Sequence, residues 1–374
     1  MWTLLRFPRV GNASQSDTTG AALDEKFGFT ARYADAGIRS AAEVAELLEF
    51  WHPDACAVNN DSLPAEAFDG FPTVFFHRAA DLGNPLHCAI SLDEKAMAET
   101  AARHLLSLNL SSYAYVPPRD DEQWSLARER HFVRILGLSG YEVASYVHPR
   151  GRLSAPKRVA HLGGWLRGLP RPAGIFAAND NVAAAVIAAC DHEGLAIPRD
   201  VALLGADNDE TVCETSRPML SSIAIDSMAS RVESLRILSQ LITGKGQAQR
   251  RVAIRPLGVV RRASTLRTEK TDPAVVAACE LIRRRACDGL KARDVAATFP
   301  CGRRMAEIRF RAMVGHSILE EIRAVRRERA RLAVTPFRTQ LRDEIAALCG
   351  YSSWSSVQRL LKGGEPGAVK RLRS

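Results

Sequence analysis

The sequence predicts an α/β region followed by an all-α region, on three observations. Over residues 1–258, short apolar runs alternate with stretches of helical periodicity, as in a mainly parallel sheet covered by helices. From Asp272 onward, only helical stretches and short turns follow. Residues 261–374 carry 25 Lys and Arg against 12 Asp and Glu, although the whole chain has a net charge of only +9. A basic all-α region joined to a slightly acidic α/β region indicates a polyanionic partner for the C-terminal part.

Local patterns define the elements of the α/β region. Stretches with apolar residues at helical spacing predict four helices, at Ser40–Trp51, Asp93–Leu108, Ser125–Leu136 and Val182–Glu193. Short apolar runs bounded by turn residues predict four strands, at Ala55–Val58, Ser112–Val116, Ala173–Ala178 and Val201–Gly205. Residues 261–271 are polar and lack apolar periodicity, which predicts a linker. The expected domains are therefore residues 1–258 and 272–374, joined by a linker at 259–271.

Several function classes find no support in the sequence. Arg6 and Arg9 interrupt the first ten residues, and no run approaches eighteen apolar residues, so we expect a cytoplasmic protein without a signal peptide or membrane span. The 8 cysteines form no Cys-x-x-Cys pair and the 9 histidines show no metal spacing. We therefore expect buried free thiols, no metal and no cofactor. Catalytic motifs such as Gly-x-Ser-x-Gly or a Walker loop are missing, so an enzyme is not expected.

A first helix-turn-helix pattern begins the basic region. A short helix is predicted at Ala292–Thr298, a turn at Phe299–Gly302, and a second helix at Arg303–Val314 that ends at Gly315. Three side chains of the second helix are expected to pack inward, namely those of Met305, Ala306 and Phe310. Four others are expected to face a DNA major groove, namely those of Arg303, Arg304, Glu307 and Arg311.

A second pattern of the same kind lies near the end of the chain. A short helix is predicted at Asp343–Leu348, a turn at Cys349–Tyr351, and a helix at Trp354–Lys362 with Ser353 as its N-cap. Val357, Leu360 and Leu361 are expected to pack inward. Ser355, Gln358 and Arg359 are expected to face outward and contact DNA. One long amphipathic helix at His316–Val334 would hold the two units apart, so that they enter successive major grooves.

These residues resemble the AraC/XylS family of DNA-binding domains over positions 272–374. The resemblance is carried by the run RRMAEIRFRAMVGHSILEEIRAVRRERARL and by the run DEIAALCGYSSWSSVQRLLK. The chain departs from the family pattern at Gly302, Ala306, Ile308 and Leu361, and in its last residues. The resemblance implies a double helix-turn-helix that binds duplex DNA. The alternative is an arginine-rich helical domain that is merely solvated or binds a protein.

Polar side chains follow two of the predicted strands. Asn179 and Asp180 come after the strand that begins at Ala173, and Asp207 comes after the strand that begins at Val201. Ligands of parallel α/β sheets bind at the carboxyl ends of strands. These side chains can both donate to and accept from neighbouring hydroxyl groups, which suits a sugar. For Asp180, a helix cap is the favoured interpretation over a ligand contact. Asp207 could instead be a simple turn residue.

Residues 92–242 resemble the LacI/ribose-binding-protein family of periplasmic-binding-like domains. The best-matching segment runs from Gly174 to Ile223, and Trp124, Arg128 and Phe132 give a further match. The resemblance implies a two-lobed α/β sensor that binds a small sugar between its lobes. It assigns the hydrogen bonds to the sugar to Arg128, Asn179 and Asp207. Trp124 is a candidate for stacking on the sugar ring, with ordinary packing as the alternative.

The order of the two regions indicates a more specific family. LacI regulators carry their helix-turn-helix in front of the sensor, whereas here it follows, as in the XylR-like family, and Pro256–Val295 resembles the junction of that family. The resemblance implies a transcription regulator, usually an activator of sugar-use genes, that responds to a pentose such as xylose. Its partners would be DNA, a second copy of the chain as a homodimer and, as a further candidate, RNA polymerase.

Two other interpretations of the α/β region remain open. In one, it is a sugar-binding protein associated with transport. Such a protein would need an export signal and would not need the basic tail. In the other, the chain is an AraC-type regulator whose diverged sensor binds a non-sugar effector or only mediates dimerisation.

Overall fold

A computed structural model describes residues 1–7, 24–35, 37–60, 62–78, 83–119, 122–244, 251–266, 272–333, 346–347 and 349–362. The chain divides into two compact units. The first unit contains residues 1–97 and 226–256, and the second contains residues 98–225 and 257–374. Both units contain an α/β sheet, and the second unit also contains the basic helical region.

The first unit is built on a six-stranded parallel sheet. In chain order its strands are β1 Trp2–Phe7, β2 Phe29–Tyr33, β3 Ala55–Val58, β4 Thr73–Phe76, β5 His87–Leu92 and β11 Arg251–Ile254. Their spatial order is β11-β5-β4-β3-β1-β2.

Helix α1, Ala41–Trp51, begins at a capping box in which Ser40 and Glu43 each bond the other's backbone N–H. The predicted helix and the strand at Ala55–Val58 are confirmed.

Helix α2, Glu94–Leu106, leads from the first sheet to the second. The strands of the second sheet are β6 Ser112–Val116, β7 Val143–Ser145, β8 Ala173–Ala177, β9 Val201–Asp207, β10 Ser221–Ala224 and β12 Gly258–Val260. Their spatial order is β12-β10-β9-β8-β6-β7, and all pairs are parallel except β10 with β12. The central strands β8 and β9 are buried, except for Asp207 at the end of β9, because helices cover both faces of the sheet, which explains their continuous apolar runs.

Further helices occur in these α/β parts, and two of them confirm the helices predicted at Ser125–Leu136 and Val182–Glu193. They are α3 Gln123–Leu138, α4 Ala155–Arg167, α5 Asp180–Glu193, α6 Glu210–Thr215 and, in the first unit, α7 Ser227–Thr243. Helix α5 packs closely on α4, and Gly163 lies at this crossing, where an added Cβ would meet Glu193 at 2.5 Å. The two α/β sheets confirm the predicted fold class of this region.

Among the described residues, the second sheet is followed by the helices α8 Pro273–Arg285, α9 Ala292–Ala296, α10 Arg303–Val314, α11 Ile318–Ala333 and α12 Trp354–Lys362. The first four share one apolar core, to which α8 contributes Ile282, α9 Val295, α10 Phe310 and α11 Ile322. A separate small core holds Ala330, Ala346, Cys349, Val357 and Leu360. Helix α11 therefore contributes to both cores, which is the connecting role that its amphipathic pattern predicts.

The structure differs from the sequence-based expectations in the segment between the sheet and the helices. Residues 262–265 of the predicted linker are packed rather than solvated, since Arg262, Ser264 and Thr265 are buried. Their polar groups bond to the sheet: Ser264 Oγ donates to the Leu203 carbonyl at 2.6 Å, and Arg262 donates to the Leu220 carbonyl at 2.9 Å. Polar composition therefore did not mean exposure here. Residues 267–271 lie outside the described residues.

Two further expectations concern the helical tail. Met305 does not pack inward, because half of its surface (51%) is exposed; Met313, one turn beyond Phe310, takes the inward position instead. Most of the helix predicted at Asp343–Leu348 lies outside the described residues, which include only its Ala346 and Ala347. Within the part of the chain that the structure describes, no helix is both long and apolar enough to cross a membrane.

Candidate functional site

The carboxyl ends of β8 and β9 lie side by side in the second sheet. Phe176 pairs with Leu204, and the two strands then continue into Asn179 and Asp207. On its other side β9 pairs with β10, where Asp207 is opposite Ala224. The structure therefore brings the polar residues that follow these strands to one edge of one sheet, as the sequence predicts.

Asn179 and Asp180 have different roles at this edge. Asn179, and not Asp180, is the N-cap of α5: its side chain accepts a hydrogen bond from the Val182 N–H at 2.9 Å. Asp180 is 2% exposed, and its Oδ2 accepts a hydrogen bond from the Asp209 N–H at 2.8 Å. The favoured interpretation of Asp180 as the cap is wrong, because the backbone leaves its extended conformation at Asn179, one residue earlier. Asp180 holds the loop after β9.

The Asp180 carboxyl group is unusually placed for an acid. Its Oδ1 is buried and accepts no hydrogen bond from the described residues. Gly205 makes room for this atom, since an added Cβ would lie 2.2 Å from Oδ1. Burial raises the pKa of Asp180 to about 7, with a further increase from the Asp207 charge, against hydrogen bonds from Ser222 and the Asp209 N–H that favour the ionised form. This carboxyl group can therefore change its protonation state near neutral pH.

Asp207 lies at the end of β9 in a strained backbone conformation. It has φ 97° and the next residue, Asn208, has φ 54°, both in a region that non-glycine residues seldom occupy. The Asn208 N–H donates to Ser222 Oγ at 3.0 Å, which fixes this turn against β10. Asp207 is exposed. Strain that is held in place by specific bonds often marks a ligand site.

Arg128 approaches the same edge from α3. Its side chain is 1% exposed, and its guanidinium donates to the carbonyl of Ala178, the residue before Asn179. The guanidinium also lies over the Trp124 ring, 4.8 Å from the ring centroid. The Trp124 Nε1 donates to Glu122 at 3.0 Å, which fixes the half-buried indole.

Three of the four predicted ligand-contacting residues, Arg128, Asn179 and Asp207, thus come together. Trp124 supports Arg128, and its stacking on a sugar stays a prediction.

The tail presents a second candidate surface, on α10. Arg303, Arg304 and Arg311 are exposed; Arg304 and Arg311 lie on the side away from the buried Ala306 and Phe310, whereas Arg303 is the first residue of the helix. Glu307 is half-buried, and its carboxylate accepts a hydrogen bond from the Ile318 N–H at 3.4 Å. The arginine positions therefore agree with the outward face that the sequence predicts, whereas Glu307 already bonds to the next helix. Helix α10 ends at Gly315, whose φ of 88° suits glycine.

Helix α12 presents a smaller surface. Ser355, Gln358 and Arg359 are exposed, whereas Val357 and Leu360 are buried. The Ser353 hydroxyl hydrogen-bonds with the Ser356 hydroxyl at 3.0 Å and with the Ser355 hydroxyl at 3.1 Å.

The turn before α12 contains Gly350 with φ 74°, where an added Cβ would be 2.5 Å from the Cys287 carbonyl oxygen near the end of α8. This close approach explains the glycine in the Cys-Gly-Tyr turn that the sequence singled out.

An ion-pair connection between the sheet edge and the helices has no signal in the sequence pattern. Arg329 of α11 donates to Glu210 at 2.7 Å and also to Glu214, both on α6, which begins three residues after Asp207. Arg329 occurs in an arginine-rich run whose members are indistinguishable by sequence pattern alone. Only the fold identifies which arginine meets the acidic helix.

Two further expectations concern thiols and metals. All eight cysteines are free, and six of them are buried. Among the residues that the structure describes, no group of three or more His, Cys, Asp or Glu side chains is close enough to hold a metal ion.

Comparison with known sequences gives consistent matches. A family model of a periplasmic binding protein-like domain matches residues 102–265. The chain is 30% identical over 295 residues to the xylose operon regulatory protein of Escherichia coli (strain K12), an alignment that covers 77% of this chain and 74% of that protein. The protein of the same name from Haemophilus influenzae is 28% identical over 270 residues, or 71% of this chain and 69% of the relative.

Solved structures show the same fold. The structure of the xylose-binding transcription activator xylR superposes with a TM-score of 0.60 at 23% identity, covering 97% of this chain and 96% of that one. A periplasmic binding protein/LacI transcriptional regulator from Alkaliphilus metalliredigens QYMF, complexed with D-xylulofuranose, has a TM-score of 0.56 at 18% identity and covers 71% of this chain. The second match covers 100% of that shorter protein, consistent with a fold shared over the α/β region.

Proposed function

The chain belongs to the family of xylose operon regulatory proteins, and on that premise we propose that it is a DNA-binding transcription regulator whose α/β region senses a small sugar. The observation that carries the sugar proposal is the meeting of Arg128, Asn179 and Asp207 at one sheet edge. A pentose such as xylose is the favoured effector, and activation of sugar-use genes is the favoured response.

The chemistry of the sheet edge suits adjacent hydroxyl groups. A guanidinium only donates hydrogen bonds and a carboxylate only accepts them, whereas a sugar hydroxyl does both. Arg128 and Asp207 can therefore bind neighbouring hydroxyls with opposite polarity, and the Asn179 amide can add one bond of either kind. Because Arg128 is buried and held by Ala178, its donors need little reordering when a ligand arrives. These features favour a polyhydroxylated ligand over a purely anionic or apolar one.

We also propose that the tail binds duplex DNA through two helix-turn-helix units. In the first, α9 precedes α10, whose Arg303, Arg304 and Arg311 would contact the major groove. In the second, the exposed face of α12 would do the same through the three residues Ser355, Gln358 and Arg359. Glu307, which bonds to α11, would shape the surface more than contact bases.

Regulation follows from the ligand's different affinity for two conformations. A sugar that binds one conformation of the sensor more tightly shifts the population toward it, and the shift changes how the tail is presented to DNA. We propose that a homodimer is the active form, with RNA polymerase as a further partner. Sedimentation that shows a monomer both with and without sugar and DNA would contradict the dimer.

The sugar proposal is tested by thermal unfolding of the full chain in a panel of pentoses and hexoses. We expect one sugar to raise the melting temperature, because a ligand that binds only the folded state stabilises it. Asp207→Ala should remove this shift and leave basal DNA binding intact. The matched control is Asp191→Ala, an exposed aspartate at the far end of α5, which should keep the shift. If no sugar changes the melting temperature, the effector is not a sugar or the α/β region only mediates dimerisation.

The DNA proposal is tested by selecting bound sequences from a random duplex pool. We expect the full chain to enrich one sequence, with an affinity that falls as salt rises because arginines displace counterions from phosphates. Arg311→Ala should weaken binding, whereas Arg130→Ala, an exposed arginine on α3, should not. An unenriched pool and binding that does not respond to salt would contradict DNA recognition by the tail.

A further inference from the structure

The outward face of α10 contains an apolar residue where an arginine-rich helix would be expected to be polar. Ile308 is 52% exposed and lies between Arg304, four residues before it, and Arg311, three residues after it. Residues at these spacings are neighbours on one face of a helix. The buried face of α10 is formed by Ala306, Phe310 and Met313, so Ile308 is not needed for the core.

The surroundings of Ile308 extend its apolar surface. Leu319, the second residue of α11, is 44% exposed, and both side chains line a groove to which Ala292 of α9 also contributes. Arg303, Arg304 and Arg311 line the same groove. An exposed branched apolar side chain inside a cationic rim fits a partner that is anionic at its margin and presents apolar groups at its centre.

Duplex DNA has this combination in its major groove. Phosphates flank the groove, and the C5 methyl group of thymine is the apolar group that base edges expose there. The three arginines match the phosphates or guanine edges, and Ile308 matches a methyl group.

We infer that Ile308 is a specificity-determining residue that selects thymine by contact with its C5 methyl group. The inference rests on the proposed DNA binding of α10 and deepens it, because it names the base that one position of this helix selects. Arginines at the same surface give affinity that is largely independent of sequence when they contact phosphates. The apolar contact at Ile308 instead discriminates among bases.

The test uses the duplex that the full chain selects and replaces its thymines by deoxyuridine, one at a time. Deoxyuridine keeps the hydrogen-bonding groups of thymine and lacks only the methyl group. We expect one or two replacements to weaken binding of the unmodified protein about fourfold each, the effect of exposing one buried methyl-sized group. Ile308→Ala should bind the thymine duplex about fourfold more weakly and show no further loss with deoxyuridine.

Two variants serve as controls for this experiment. Met305→Ala removes a side chain of similar exposure (51%) on the same helix that does not line the groove of Ile308 and Leu319, and should keep the thymine preference. Arg304→Ala should weaken binding to all duplexes and lower the salt dependence by about one unit of slope, which Ile308→Ala should not do. Alanine has a higher helix propensity than isoleucine, so Ile308→Ala should retain α10, as circular dichroism would verify.

Each contrary outcome has a distinct meaning. Failure of the full chain to bind any duplex contradicts the proposed function itself. Binding that is equally strong for thymine and deoxyuridine at every position contradicts methyl recognition. If Ile308→Ala keeps the preference for thymine, another residue makes the contact. Ile308→Ala could instead sediment differently from the unmodified protein without DNA and still discriminate thymine from deoxyuridine. That result would mean that the apolar face contacts a second copy of the chain and not the base.

Discussion

Arginine is used differently at the sheet edge and on α10. Arg128 is buried, bonded to the Ala178 carbonyl and stacked on Trp124, so its donors have a fixed direction. Arg304 and Arg311 are exposed on the surface of a helix that is packed only on its other side. The same side chain is therefore pre-organised in one region and adaptable in the other.

This difference agrees with the chemistry proposed for each region. A small neutral sugar offers few contacts and no net charge, so its binding depends on donors and acceptors that are already in place. DNA offers a dense line of phosphates, and flexible exposed cations gain affinity from it without a fixed geometry. We therefore expect substitutions of buried groups and changes in protonation to affect the sheet edge most. For α10, we expect salt concentration to have the larger effect on DNA binding.

The largest effect on stability is expected from Asp180→Asn. Asp180 has its pKa raised from the usual 3.8 to about 7, so the folded state holds a proton that the unfolded state has lost between these values. The free energy of unfolding therefore decreases as pH rises from about 4 to about 7, by on the order of 4 kcal/mol. Asparagine does not ionise, so its burial carries no cost that grows with pH. The variant should therefore become progressively more stable than the unmodified protein as pH rises over this range.

Urea unfolding at several pH values measures this difference. Asp191→Asn, on the exposed end of α5, is the matched control and should follow the unmodified protein at every pH. A stability difference between Asp180→Asn and the unmodified protein that does not depend on pH would show that burial does not keep this carboxyl group protonated. The expectation that the sheet edge is sensitive to protonation would then be wrong.

An effect of about 1–3 kcal/mol on stability is expected from Arg128→Met. The substitution leaves the Ala178 carbonyl without its arginine donor in a buried position, and a lost buried hydrogen bond costs this amount. Arg304→Met on the exposed face of α10 should change stability by less than about 0.5 kcal/mol. The functional effects should be reversed: Arg128→Met should lose the sugar-induced thermal shift and bind DNA, and Arg304→Met should keep the shift and bind DNA weakly.

Thermal unfolding and a DNA-binding titration of both variants measure these outcomes. Equal loss of stability in the two variants would contradict the expectation that the buried arginine contributes more to stability than the exposed one. Loss of DNA binding in Arg128→Met, with its folding intact, would place that arginine in communication with the tail.

The sequence predicted the elements whose patterns are local. The strand at Ala55–Val58 and the helix at Arg303–Val314 have the predicted bounds, since apolar periodicity and the turn residues at their ends are properties of neighbouring residues. The place of Asn179 and Asp207 at one edge also followed from the sequence, because polar residues after parallel strands converge. The relation of Arg128 to them came from a family resemblance.

What could not be predicted depends on contacts between distant residues. The burial of Arg262 and Ser264 in the expected linker requires Leu220 and Leu203, more than 40 residues away. The Asn179 cap displaced the expected Asp180 cap because Asp180 is bonded to Asp209 across the turn. Met305 and Met313 are both apolar positions of α10, and only the packing of α8 and α11 decides which one is covered.

The smallest effect is expected where the two compared regions are joined. Arg329 of α11 bonds both Glu210 and Glu214 of α6, in a partly exposed network, so Arg329→Met should lower the free energy of unfolding by only about 0.5–1 kcal/mol. Arg323→Met, an exposed position on the same helix, is the control and should have almost no effect. High salt should reduce the difference between these two variants, because partly exposed ion pairs are screened.

The functional effect of Arg329→Met should exceed its effect on stability. Helix α6 begins three residues after Asp207, so the ion pairs connect the loop of the proposed sugar site with the helix that contributes to both apolar cores of the tail. We expect the variant to bind sugar and DNA separately with near-normal affinity, while sugar changes its DNA affinity less than in the unmodified protein. A DNA titration with and without sugar measures this coupling. Unchanged coupling in Arg329→Met would mean that another contact joins the pre-organised edge to the adaptable helical surface.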